Sequence, residues 1–161
     1  MPKLHTELLT SDLYRRLNGA EAGARAHEAI VLCTTDAAGW PHPAMISYFE
    51  LAAVDRQNLR LAIYNDSRTC ANLRERGKAT FIVVDADLVC YISGTVEAVV
   101  PTMREAPHNA RVSLRVSQVV FDTASPELES GTEVTGGITY TPRTGDDLGR
   151  ARAVLAELLE G

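Results

Sequence analysis

The chain has 161 residues, 16 basic and 21 acidic, for a formal net charge of -5 at pH 7, with 45% apolar and 23% charged residues. This is the composition of an ordinary soluble globular protein, and the length suits a single domain over residues 1–161 with its own hydrophobic core. A mildly acidic chain lacks the broad positive field that gathers phosphate backbones, so nucleic acid is not the expected partner, and no apolar run approaches the roughly 18 residues that would cross a membrane.

Met1 to Thr10 carries Lys3, His5 and Glu7 without a long apolar run, so it does not read as a signal peptide. Thr10 to Gly19 has the marks of a short amphipathic helix: a capping Thr10 or Ser11, Leu9, Leu13 and Leu17 at four-residue spacing, and a closing glycine. Residues 20–28 are alanine-rich and linker-like or weakly helical. Ala29 to Thr35 (AIVLCTT) and Pro41 to Leu51 (PHPAMISYFEL) read as two strands joined through the turn Asp36-Ala37-Ala38-Gly39. Leu59 to Tyr64 is a third strand, and Ser67 caps a two-turn helix ending at Gly77. Ala79 to Val84 and Leu88 to Val100 follow as strands. Gly94 stands in the middle of the second, where a barrel corner would bend.

After Pro101 comes a short segment with room for one helical turn. Arg111 to Phe121 then alternates cleanly, with Val112, Leu114 and Val116 on one face. Residues 122–145 form an irregular excursion, and a helix that Asp146 or Asp147 can cap closes the chain with an apolar face of Leu148, Ala151, Val154, Leu155, Leu158 and Leu159. The order predicts a mainly β protein, a six-stranded antiparallel barrel with peripheral helices, rather than alternating βαβ units.

Few residues announce chemistry. His5, His27, His42 and His108 are scattered without ligand spacing, so no metal site is expected, although a haem needs only one histidine. No nucleophile elbow is present. Cys33, Cys70 and Cys90 are odd in number and far apart, which argues for a reducing, cytoplasmic setting, with Cys33 and Cys90 expected as buried structural thiols. The segment from Ala62 to Leu73 stands out. A strand ends, Ser67 caps, and Arg68 and Thr69 occupy the first helical turn, so N–H groups, hydroxyls and a guanidinium would suit a phosphate monoester. A plain capped helix with a surface arginine accounts for the same residues.

Three features appear in order over about 70 residues: Thr34-Thr35-Asp36-Ala37-Ala38-Gly39-Trp40-Pro41-His42, the Ser67-Arg68 to Asn72-Leu73 helix start, and Ile92-Ser93-Gly94-Thr95-Val96-Glu97. This middle of the chain resembles the pyridoxamine 5'-phosphate oxidase-like, FMN-binding split β-barrel family. The resemblance implies a homodimer with the flavin in the interface. It places Ala44, Met45, Ile46 and Ser47, with Tyr48 beside them, along the flavin ring, Ala62 and Ile63 near it, and Ser67, Arg68 and Thr69 at its phosphate. The oxidase pattern has basic residues where Ala44, Phe49 and Thr69 stand here, and its C-terminal substrate segment is not seen. The resemblance therefore implies a flavin-dependent oxidoreductase acting on some other small molecule. The alternative is a non-catalytic protein that holds FMN, haem or a deazaflavin.

Overall fold

The computed structural model describes residues 3–122, 127–128 and 131–160. Leu9, Leu13 and Leu17 are all buried, and the last two lie on helix α1 (Ser11–Leu17), whose cap Thr10 accepts a hydrogen bond from the Leu13 N–H at 3.2 Å. Ahead of it lies a strand no sequence signal marked, β1 (Lys3–Thr6), too short to show a period. Residues 20–27 form a chain of turns. Then come β2 (Ala29–Thr35), β3 (Pro41–Ser47), β4 (Leu51–Ala53), β5 (Asn58–Tyr64), α2 (Arg68–Arg76), β6 (Lys78–Asp85), β7 (Leu88–Val100), β8 (Asn109–Asp122) and α3 (Gly145–Leu158).

All pairings are antiparallel, in the order β3-β2-β6-β7-β8-β5-β4, with β1 added to β8 at Lys3↔Asp122 to Thr6↔Val119. The six expected strands are present, but the run from Pro41 to Leu51 is two strands rather than one. A turn breaks it: the Glu50 N–H donates to the Ser47 carbonyl at 3.1 Å, and the Glu50 carboxylate accepts from the Ser47 N–H and Oγ at 3.0 and 2.8 Å. β3 and β4 are thus joined by three residues yet lie at opposite ends of the strand order. A sheet with its two edges tied this closely must curl round on itself, and the fold is a split β-barrel.

The interior is filled by Leu32, Phe81, Ile92, Leu59, Leu61 and Leu114, each from a different strand or strand position and all essentially buried. β7 bends where expected. Its register with β8 shifts between Ser93 and Gly94, and a Cβ on Gly94 would lie 3.3 Å from the Arg115 carbonyl oxygen. Residues 123–126 and 129–130 of the expected excursion lie outside the described residues, as do Met1 and Pro2 at the start of the segment read as lacking a leader. Within the rest of it, 131–144 is an irregular strap laid over the barrel. The Ala29 N–H bonds the Ile138 carbonyl at 3.0 Å, and the Tyr140 N–H bonds the His27 carbonyl at 2.9 Å. At Gly137 the strap passes so close to Val84 that a Cβ would stand 2.2 Å from its carbonyl oxygen, so only glycine fits. Cys90 is buried as expected, and burial pushes its thiol up to about 12; Cys33 is only half-buried, on the outer side of the sheet. No helix among the described residues is long and apolar enough to cross a membrane.

A charged cluster ties α1 and the 19–28 turns to the barrel. Asp85, at the end of β6, accepts from Arg16 at 2.9 Å and from Arg25 at 3.1 Å, while Arg25 also pairs with Glu21 and Glu28. Burial opposes the Asp85 charge, but the hydrogen bonds from Arg16 and the Ala86 N–H outweigh it and hold the carboxyl below its usual range. Asp85→Asn is expected to cost about 1–2 kcal/mol in chemical denaturation at pH 7. Because the folded pKa is depressed, this contribution is complete above about pH 4 and is lost as pH falls through the folded value. The gap between the parent chain and the variant should therefore close in acid.

Candidate ligand-binding cleft

The split of the barrel is the candidate site. Between the β3 edge and the end of β5 lies an open cleft of about 330 Å³, and its first wall is Ala44, Met45 and Ile46 from β3, Phe49 and Glu50 from the turn, and Ile63, Tyr64, Ser67 and Thr69 where β5 gives way to α2. Strand alternation explains the β3 residues: Met45 is 65% exposed while Ile46 is buried. Among the described residues β3 pairs only with β2, so its other edge, Ser47 apart, has no strand partner toward the split.

Among the nine residues singled out from the sequence, Ala44, Met45, Ile46, Ile63, Ser67 and Thr69 line this cleft. Ser47 lines an adjoining recess of about 230 Å³ with Met45, Ile46, Glu50, Tyr140 and Arg143. Ala62 is fully buried behind the first wall. Arg68 is placed elsewhere: it is exposed, makes no hydrogen bond or ion pair among the described residues, and lines a separate shallow groove with Asp36, Ala37 and Ala38. Its side chain leaves the start of α2 toward the turn between β2 and β3, beside the cleft rather than in it. Tyr48 points away from the cleft, its hydroxyl accepting from Arg16 at 3.1 Å.

The Ser67 hydroxyl is already spent, accepting from the Cys70 N–H at 3.1 Å and donating to the Tyr64 carbonyl at 2.7 Å. That leaves the first N–H groups of α2 as open donors beside the cleft. The apolar flank and the helix start together offer a flat hydrophobic surface and an anion seat within one site. No group of three or more His, Cys, Asp or Glu among the described residues is placed to hold a metal ion.

The second wall carries residues that the sequence did not mark as part of a site. Glu105, Ala106 and His108 come from the turn before β8, Asn109 from the first position of β8, and Arg143, Asp147, Arg150, Ala151 and Val154 from the strap and α3. Arg143 holds the rim together, donating to the Ser47 Oγ at 3.1 Å and pairing with Glu50 and Asp147, each at 3.6 Å. Glu157 is buried on α3, and its carboxylate accepts from the Arg104 and Glu105 N–H groups at 3.0 and 2.7 Å, fixing the helix to the turn. Asn109 is nine-tenths buried, and its Oδ1 has no hydrogen-bond partner among the described residues. Asn109 follows Pro107-His108 and passes for turn chemistry, while Arg143 sits in a stretch without period. Neither carried a signal that could have found it.

Residues 20–133 match the family described as pyridoxamine 5'-phosphate oxidase. An uncharacterised protein of Bacillus subtilis, YclD, is 32% identical over 133 residues, spanning 81% of this chain and 86% of that protein. Among solved structures, a candidate pyridoxamine 5'-phosphate oxidase of Lactobacillus delbrueckii superposes with a TM-score of 0.57 at 20% identity, covering 74% of this chain and 98% of that one. An FMN-binding protein of Syntrophomonas wolfei subsp. wolfei gives 0.56 at 16% identity, over 71% and 88%.

Within the second wall, Glu157 is the buried carboxylate that links α3 to the turn before β8. Glu157→Ala is expected to lower stability by about 2–3 kcal/mol, because it leaves two N–H groups without their charged acceptor. Hydrogen exchange should show the amides of Arg104 and Glu105 losing protection while those of β6 and β7 keep theirs.

Proposed function

Since the chain belongs to the pyridoxamine 5'-phosphate oxidase family, we propose that it binds a flavin, FMN, in the split of the barrel and serves as a flavin-dependent oxidoreductase on a small molecule. The observation that carries the reading is the convergence, in one cleft, of an apolar strand with a free backbone edge and the N-terminus of α2. The residues present fit the group. Ala44, Met45 and Ile46 would flank the ring, with the free edge of β3 bonding its polar side, and Ile63 would close the apolar surface over Ala62. The α2 start at Ser67 and Thr69 would hold the phosphate, with the unpaired Arg68 turning in from the neighbouring face. When bound, the flavin supplies the redox chemistry, and the protein supplies orientation and exclusion of water.

A cleft of about 330 Å³ stands at the low end of the roughly 300–1,000 Å³ typical of ligand pockets. Met45 and Tyr64, on its rim, are 65% and 60% exposed. Both facts support a site completed by a second copy of the chain, as a homodimer; the cytoplasmic setting rests on the odd, scattered cysteines. The rim charges favour a second reading. Arg143 is tied to Glu50 and Asp147, and Glu105, the third carboxylate in the lining, lies 3.6 Å from Arg104, so each of the three has a cationic partner. In that reading the chain holds its cofactor without turnover. Reduction of bound flavin by NADH or NADPH, followed by reoxidation with an acceptor, separates the two.

The phosphate seat is tested by titrating FMN and riboflavin into the parent chain and Arg68→Ala. Loss of a charge-assisted hydrogen bond of about 1.5–3 kcal/mol lowers FMN affinity at least tenfold. Riboflavin, which has no phosphate, should bind both proteins alike. Unchanged FMN affinity would remove Arg68 from the site.

A further inference from the structure

We propose that the small molecule taken up beside the flavin is a flat aromatic ring, neutral or cationic, seated on Tyr64 and His108; this names a substrate class for the flavin reading above and rests on it. Tyr64 ends β5 on the first wall, His108 stands in the turn before β8 on the second, and both line the cleft. Their rings meet with centroids 5.7 Å apart and planes tilted by 32°. Tyr64 is 60% exposed, and His108 is exposed as well. Two rings left open where the walls of a cleft meet offer a stacking face to a third.

Both rings stand on backbone that is held without any ligand. The His108 carbonyl accepts from the Asn65 N–H at 2.9 Å, and the Asn65 side chain donates to the carbonyls of Pro101 and Pro107, both at 3.2 Å. Tyr64 stands opposite Asn109 in the β5–β8 ladder, and its carbonyl accepts from the Ser67 N–H and Oγ at 3.1 and 2.7 Å. A seat whose supports are fixed in advance loses less on binding. Ala106, Ala151 and Val154 continue the second wall as an aliphatic surface.

Charge narrows the class. The lining holds three carboxylates, Glu50, Glu105 and Asp147, against two guanidiniums, Arg143 and Arg150. Neither guanidinium is free: Arg143 pairs with Glu50 and Asp147, each at 3.6 Å, and Arg150 with Asp147 at 3.4 Å. Asp146 and Asp147 also occupy the first turn of α3, where they answer the positive end of that helix. The start of α2 is left for the flavin phosphate, with no second seat for an anion among the described residues of the lining. A carboxylate or phosphate ester brought to the second wall would meet a net negative surface while His108 is neutral. A positive ring would be drawn both to those carboxylates and to the face of Tyr64.

The test titrates benzamidinium, benzamide and benzoate into the FMN-loaded protein at low salt and about pH 8, where a histidine ring is ordinarily neutral. The three probes share a ring and a flat substituent and differ in charge: positive, neutral and negative. Affinity is expected to fall in that order, with benzoate about fivefold weaker than benzamidinium. Tyr64→Leu should weaken benzamide and benzamidinium about threefold to tenfold, and Tyr64→Phe should bind benzamide as the parent does. His108→Leu serves as the second variant should Tyr64→Leu misfold, and Glu105→Gln should narrow the gap between benzamidinium and benzoate. Benzoate binding as tightly as benzamidinium overturns the proposal, as does a failure of benzamide and benzamidinium to bind, or their unchanged affinity in a folded Tyr64→Leu or His108→Leu. Probes that bind only the unloaded chain and are displaced by FMN also overturn it, because the ring seat then belongs to the flavin itself. A chain that retains no FMN overturns the flavin reading instead, and the order of affinities on the unloaded chain then decides the ring seat.

Discussion

The turn from Ser47 to Glu50 is the constraint on which the structure depends. It joins the two outermost strands of the sheet, so the sheet closes, yet β3 and β4 do not pair with each other. Closure without pairing leaves a split. Every candidate function of this chain follows from what lines that split.

The turn is held from several directions, each by a different kind of interaction. On one side the Tyr48 hydroxyl meets Arg16, and Arg25 lies 5.8 Å from the centre of its ring, which binds the turn to the charged cluster around Asp85. Phe49 is buried in the core with the Arg152 guanidinium over its ring. On the cleft side Glu50 closes back on Ser47, and Arg143 of the strap bridges both. The same three residues that shut the barrel thus fix the height of β3 and bring α3 over it. This gives the strap a purpose beyond covering surface, because it carries the arginine that completes the rim.

The parts of the fold that were legible in the sequence have local causes. The leucine spacing of α1, the Ser67 cap, the bend at Gly94 and the alternation of β8 each depend on residues close in the chain. The break after Ser47 was hidden because Met45 to Leu51 is a mostly apolar run that continues a strand pattern, with a single glutamate whose role is to turn it. The second wall was illegible for another reason. Arg143 reaches Ser47 across 96 positions and Glu157 reaches Arg104 across 53, and no window of sequence contains such contacts. At Arg68 the sequence could place three neighbours in one turn but not decide which way each one faces.

The central claim is that the split of this barrel holds a flavin. The most direct test is a visible absorption spectrum of the purified protein after incubation with excess FMN and desalting. The account predicts a retained flavin spectrum, with bands displaced from those of free FMN by the apolar flank. A folded protein that emerges colourless would contradict it.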